Sequence, residues 1–156
     1  MGIEIERKFL VRGEAWRQAC GKGQGRHLCQ AYLNRDPGRT VRVRIDGEQG
    51  FLTIKGRSVG ATRSEFEYAI PLGDAQALLA LADGPLVEKL RHRVPMGDLV
   101  WEIDEFLGSN AGLVVAEIEL PSEAHPFEHP DWLGEEVTQD PRYFNSALAA
   151  RPYASW

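Results

Sequence analysis

Glu4, Glu6 and Lys8 stand on alternate residues of the opening stretch IEIERKFLV (3–11), and sets with the same spacing recur along the chain. Glu65/Glu67, Glu102/Asp104 and Glu117/Glu119 are acidic; Arg42/Arg44, Lys55/Arg57 and Lys89/Arg91/Arg93 are basic. Grouped carboxylates suit a hard dication such as Mg²⁺ or Mn²⁺, which takes oxygen ligands. Grouped Arg and Lys suit phosphate oxygens, Arg through its bidentate fork and Lys as a point charge. Together these residue types describe a site for a metal ion and a polyphosphate.

A spacing of two brings side chains to one face only in an extended strand, where i and i+2 lie roughly 6.5–7 Å apart. The sets fall in segments that read as strands: TVRVRID (40–46), FLTIKGR (51–57), SEFEYAI (64–70), LVEKLRHRV (86–94), LVWEIDEF (99–106) and LVVAEIEL (113–120). Each is rich in β-branched or aromatic residues and bounded by Gly, Pro, Asp or Asn. Counted with the opening stretch, seven strands carry one charged and one apolar face. An antiparallel sheet with its charged face in water gives that pattern for any one strand. The grouping by sign argues against water, because a solvated face intersperses both signs. If the sheet closes with the charged faces inward, about eight strands leave an interior that one small ligand can fill. The apolar faces then point outward and need cover. Cover is short: a brief helix in GEAWRQAC, a helix over 74–83 with Asp74 as N-cap and Gly84-Pro85 as stop, and a third capped by Asp140 that starts at Pro141 and runs through RYFNSALAA. The stretch PSEAHPFEHPDW (121–132) reads as a Pro-rich excursion with no single element.

Composition narrows the function. With 156 residues, 43% hydrophobic and 26% charged, the chain reads as one domain over 1–156. A net charge of −5 argues against a broad footprint for nucleic acid or for an anionic membrane. No apolar run approaches the roughly 18 residues of a membrane span, and the N-terminus reads as a charged strand, so the expected location is cytoplasmic. Cys20 and Cys29 lack CxxC spacing and read as free thiols. GKGQG (21–25) lacks the GxxxxGK[ST] spacing of a phosphate-binding loop. His125 and His129 have the spacing of a helical zinc pair, but Pro126 and Pro130 break the helix. His92 falls on an apolar face, and no Ser-His-Asp or Cys-His arrangement offers a covalent nucleophile.

The ordered set resembles a known family. IEIERKF resembles the ExExK signature of the CYTH superfamily, the triphosphate tunnel metalloenzymes. The likeness continues through QAYL (30–33), VRVR (41–44), LTIKG (52–56), EFE (65–67), VEKLR (87–91), EID (102–104), AEIEL (116–120) and GEEVTQDPRYFNSALA (134–149), nearly the whole chain. It implies a mainly β (α+β) fold, an eight-stranded antiparallel closed barrel whose charged interior forms a tunnel under a few covering helices. It implies a small-molecule triphosphate substrate and a divalent metal, Mg²⁺ or Mn²⁺. Carried over by residue, Glu4, Glu6, Glu117 and Glu119 would bind metal with help from Asp104. Lys8, Arg42, Arg44, Lys55, Lys89 and Arg91 would hold the phosphates, with Glu65 and Glu67 on the opposite wall. Arg93 and Glu102 share these faces but match the family's positions less closely. Tyr32 would either hydrogen-bond Lys8 or a phosphate oxygen, or serve the core. The expected reaction is hydrolysis of inorganic triphosphate. Thiamine triphosphatase, nucleoside triphosphatase and class IV adenylate cyclase are the enzymatic alternatives, and a non-catalytic polyphosphate-binding module is the alternative of another class. Oligomeric state is open.

Overall fold

The computed structural model describes residues 2–20, 25–82 and 84–156; most of the GKGQG loop and the expected helix end at Asp83 lie outside the described residues. Nine strands form one antiparallel sheet: β1 (Gly2–Val11), β2 (Arg26–Asn34), β3 (Arg39–Asp46), β4 (Gln49–Gly56), β5 (Thr62–Ile70), β6 (Val87–Met96), β7 (Leu99–Phe106), β8 (Val114–Glu119) and β9 (Leu133–Glu136). The order β5-β4-β3-β2-β6-β7-β8-β1, closed by pairing of β1 with β5, makes an eight-stranded barrel, and β9 adds to β1. Strand β1 makes the closure by dividing its length. Gly2–Ile5 pair with β5, Glu6–Leu10 pair with β8, and Phe9 and Val11 also pair with β9.

Seven strands follow the alternation in the sequence; β2 and β9 do not. In β2 the inward positions Leu28, Gln30 and Tyr32 mix polar and apolar, and β9 is only four residues long. Directly paired residues share a face, so the register fixes the interior. Lys8 stands opposite Glu117, Arg91 opposite Asp104, Arg42 opposite Thr53 and Lys55 opposite Glu65. Charged faces point inward on every one of these strands.

The core consequently lies outside the ring. Phe9, Trp101, Ile103, Ala116 and Ile118 form one outward cluster with Trp16 of α1 (Trp16–Ala19), Trp132 and Leu133. The Pro-rich stretch 121–132 supplies its lid: Trp101 packs edge-on against Phe127 at 5.7 Å and Trp132 at 5.6 Å. Helix α2 (Leu72–Leu81) lies over β2, β3 and β4, where a Cβ on Gly50 would fall 2.6 Å from that of Ala75. Its N-cap is Pro71, so Asp74 sits in the first turn rather than at the cap. There its charge still favours the positive end of the helix dipole. The last helix also differs from expectation. Asp140 does cap, accepting from the Arg142 amide, but Pro141–Tyr143 is a single 3-10 turn. Phe144 is extended (φ −68°, ψ 135°), and α3 begins afresh as Asn145–Ala150.

At one end of the barrel the inward faces turn apolar. Tyr32, Val87, Phe106 and Val115 meet Val137, Tyr143 and Leu148 of the closing segment there. No helix among the described residues is long and apolar enough to cross a membrane.

The α2 contact sets up a contrast between two glycines. Gly50→Val should destabilise by about 1–3 kcal/mol through overpacking against Ala75. Gly73→Ala, on α2 with nothing within 4 Å, should instead stabilise by about 0.5–1 kcal/mol. Chemical denaturation of both variants measures the pair, and a neutral Gly50→Val would contradict the close approach.

Candidate functional site

The barrel encloses a cavity of about 270 Å³ lined by eight basic and eight acidic side chains. Strands β1, β3, β4, β5, β6 and β8 bring together the sequence-predicted Glu4, Glu6, Lys8, Arg42, Arg44, Lys55, Glu65, Glu67, Lys89, Arg91, Glu117 and Glu119, and Tyr32 and Glu102 join them. Two basic residues of the alternating sets are not on this wall. Arg93 is exposed on β6, and Arg57 lies past the end of β4 beside an adjoining hollow.

Within the cavity the charges neutralise one another in three groups. Lys55 Nζ donates to both oxygens of Glu4 at 3.1 Å and lies 3.3 Å from Glu65, while Arg63 Nε donates to Glu4 at 3.2 Å. Burial pushes the Glu4 carboxyl up, but Lys55, a hydrogen bond from Glu65 and Arg63 outweigh it and hold the group at about 2. Arg42 donates to Thr53 at 3.2 Å, Thr53 donates to Glu67 at 2.9 Å, and the Arg42 Nε is buried with no acceptor among the described residues. Deepest is Asp104, fully buried behind the wall. Its two oxygens accept from Arg91 at 2.8 and 2.9 Å, and Lys89 Nζ is 2.7 Å from it. Burial drives the Lys89 ammonium down to about 7 against the pull of Asp104. With both oxygens so engaged, Asp104 anchors two cations rather than facing the cavity.

Glu6 and Glu119 are the exception. They are direct cross-strand partners, and neither forms an ion pair among the described residues. Burial, then Glu117 and Glu4, push the Glu6 carboxyl up to about 8, and burial with Glu4 and Glu102 raises Glu119. Glu102 and Glu117 are likewise opposite each other. Like charges set directly opposite destabilise a sheet. An all-carboxylate donor set fits a hard dication, although among the described residues no three His, Cys, Asp or Glu groups already converge on one point. Glu117, by contrast, is held well below the usual carboxylate range: burial raises it, and Lys8, Lys89 and Arg91 more than reverse that.

The closing segment completes the wall with Phe144, Asn145 and Ser146. Lys8 Nζ donates to the Tyr143 carbonyl at 3.2 Å and lies 3.5 Å from Glu117. Tyr32 is buried, on the cavity wall and in the apolar end cluster at once. Several lining residues escaped the sequence reading. Arg63 and Thr53 sit two residues before Glu65 and Lys55 on the same faces, so extending the period backward would have found them. Asn145 carries no such signal, because it reaches the cavity from a helix start.

A CYTH domain matches residues 2–153. The chain belongs to the CYTH domain family. The inorganic triphosphatase of Acetivibrio thermocellus is 48% identical over 157 residues, covering 100% of this chain and 99% of that one. The inorganic triphosphatase of Nitrosomonas europaea is 38% identical over 151 residues, covering 94% and 96%. Among solved CYTH-like structures, the crystal structure of the inorganic triphosphatase NE1496 superposes with a TM-score of 0.64 at 36% identity, over 94% of this chain and 97% of that one. The PH1012 protein of Pyrococcus horikoshii shares the fold at 20% identity, with a TM-score of 0.56 over 76% and 79% of the two chains.

The opposed Glu6–Glu119 pair costs this CYTH domain stability. Glu6→Gln should therefore raise stability in chelator by about 0.2–1 kcal/mol at neutral pH. Because the folded-state value of Glu6, about 8, exceeds the ordinary 4.5, the wild type should lose stability through this group as pH rises between them. The gain in the variant should widen over that interval. Thermal melts from pH 5 to 8 check this, and a Gln variant less stable than wild type at pH 8 would refute it.

Proposed function

We propose that the protein hydrolyses inorganic triphosphate to pyrophosphate and orthophosphate inside the barrel, with a divalent metal ion as cofactor. The observation that carries this reading is the charge balance of the cavity. Eight cations and eight anions line it in equal number, and most are paired, Arg44, Glu6 and Glu119 being the exceptions, so a bare polyanion meets little net attraction there. A polyphosphate together with a dication replaces both halves of the pairing. Phosphate oxygens would take the ammonium and guanidinium donors, and the released carboxylates would be free to hold the metal. Relatives that are inorganic triphosphatases support the choice of substrate.

In this reading Lys8, Arg42, Arg44, Lys55, Lys89 and Arg91 fix the row of phosphates. Asp104 holds Arg91 and Lys89 in place through its three short contacts. Glu4, Glu6, Glu117 and Glu119 are the metal ligands. When bound, Mg²⁺ or Mn²⁺ would supply charge neutralisation on the phosphate oxygens and a water of lowered pKa. Phosphoryl transfer asks for positioning and electrostatic stabilisation more than for covalent help from protein groups. The carboxylates orient a water in line with the terminal phosphorus. The new bond forms from water oxygen to phosphorus, and the bridging oxygen leaves on pyrophosphate. Tyr32, on the cavity wall and in the apolar end cluster at once, is placed to offer its hydroxyl to a phosphate oxygen.

Phosphate release should be measured from tripolyphosphate, ATP, thiamine triphosphate and pyrophosphate with Mg²⁺, with Mn²⁺ and with chelator. Tripolyphosphate should be turned over fastest, and chelator should stop the reaction; equal or faster turnover of ATP would overturn the substrate, and polyphosphate binding without turnover would favour a binding module. Glu4→Gln with Glu6→Gln should abolish metal-dependent turnover. Arg42→Ala should act mainly on KM, raising it about tenfold or more for a lost charge-assisted contact; an unchanged KM would remove Arg42 from the phosphate wall.

A further inference from the structure

Gln30 is fully buried on β2, belongs to neither the acidic nor the basic sets, and does not line the cavity. Its two amide atoms are both used. Arg44 Nε donates to Gln30 Oε1 at 2.8 Å, and Gln30 Nε2 donates to Asn145 Oδ1 at 3.3 Å. The same Asn145 oxygen accepts from Lys89 Nζ at 2.9 Å. The polarity of this chain is forced. Arg and Lys are donors only, so Gln30 must turn its oxygen to Arg44 and Asn145 its oxygen to Lys89, leaving the Gln30 NH₂ to bridge them.

Two neutral amides thus stand between two cations that face the same cavity. Lys89 also pairs with Asp104 at 2.7 Å and has Glu117 nearby, whereas Arg44, with Arg42 and Arg91 around it, forms no ion pair among the described residues. Neutral acceptors hold Arg44 without cancelling its charge and add no second carboxylate to Lys89 beyond Asp104, which an acid in either place would do. We propose that Gln30 and Asn145 are positioning residues that act as one unit, holding Arg44 and Lys89 at a fixed separation for the phosphate chain. This rests on the triphosphatase reading above. The unit also ties the closing segment to the barrel wall, because Asn145 opens α3. A buried, fully satisfied polar chain of this kind rigidifies what it links.

The test is a double-mutant cycle on the full-length protein, reading tripolyphosphate KM and kcat beside thermal stability. Asn145→Ala, at the start of a short terminal helix, should raise KM about tenfold with kcat changed much less. Gln30→Leu, which keeps the volume and removes both amide contacts, should do the same. The double variant should be no worse than the poorer single one, because either change breaks the same chain. Gln30→Glu restores the acceptor for Arg44 but neutralises it, so it should not rescue KM. Independent, multiplying effects of the two changes would overturn the proposal, as would a fall in melting temperature with KM unchanged in Asn145→Ala. If Gln30→Leu fails to fold, Asn145→Ala and Gln30→Glu still decide it. A wild-type protein inert on tripolyphosphate would instead refute the triphosphatase reading, a separate outcome.

Discussion

Everything in this protein depends on the neutralisation of charge inside a closed sheet. Removing an ion from water costs several kcal/mol even after relaxation, and only close, well-satisfied pairing recovers it. The contact of the fully buried Lys89 and Asp104 with the mostly buried Arg91 is the extreme case. Breaking one member would leave a buried charge without a partner. The barrel can therefore hold so many ionised groups only because register places several cations directly beside an acid: Lys8 by Glu117, Lys55 by Glu65, Arg91 by Asp104.

That constraint dictates where stability comes from. With the interior given to charge, apolar burial must be found on the outer face. Trp101, Ile103 and Ile118 are each fully buried there, although they point away from the barrel axis. The coverings are heterogeneous because each needs only to match a patch. A helix fits where Gly50 admits Ala75, and a Pro-rich segment with Phe127 and Trp132 fits elsewhere.

Much of this was legible from period two alone. Alternation located seven strands, sorted their faces and named most of the cavity wall, since side-chain direction in a strand is a local property. What escaped is non-local. Strand β2 lacks a charged stripe, and its place between β3 and β6 follows from topology. Gln30 reads as an ordinary polar residue until Arg44 and Asn145 close around it. The break at Phe144 was equally invisible, because Asp140 and Pro141 are good helix-starting residues and only the cavity and the buried Tyr143 interrupt what they begin. Asp104 shares a face with Glu102, yet depth along the barrel gives it a different environment, and depth is not written in the alternation.

The divided pairing of β1 also has a kinetic side. This strand is synthesised first, but its partner across Glu6–Leu10 emerges roughly a hundred residues later, so its full set of contacts is among the most distant in the chain. Until β1 docks, Lys55 and Arg63 lack Glu4, and Glu117 lacks Lys8. Ring closure brings these partners together across both edges of β1. Salt screens the attraction between such partners, so closure of the ring should slow as ionic strength rises.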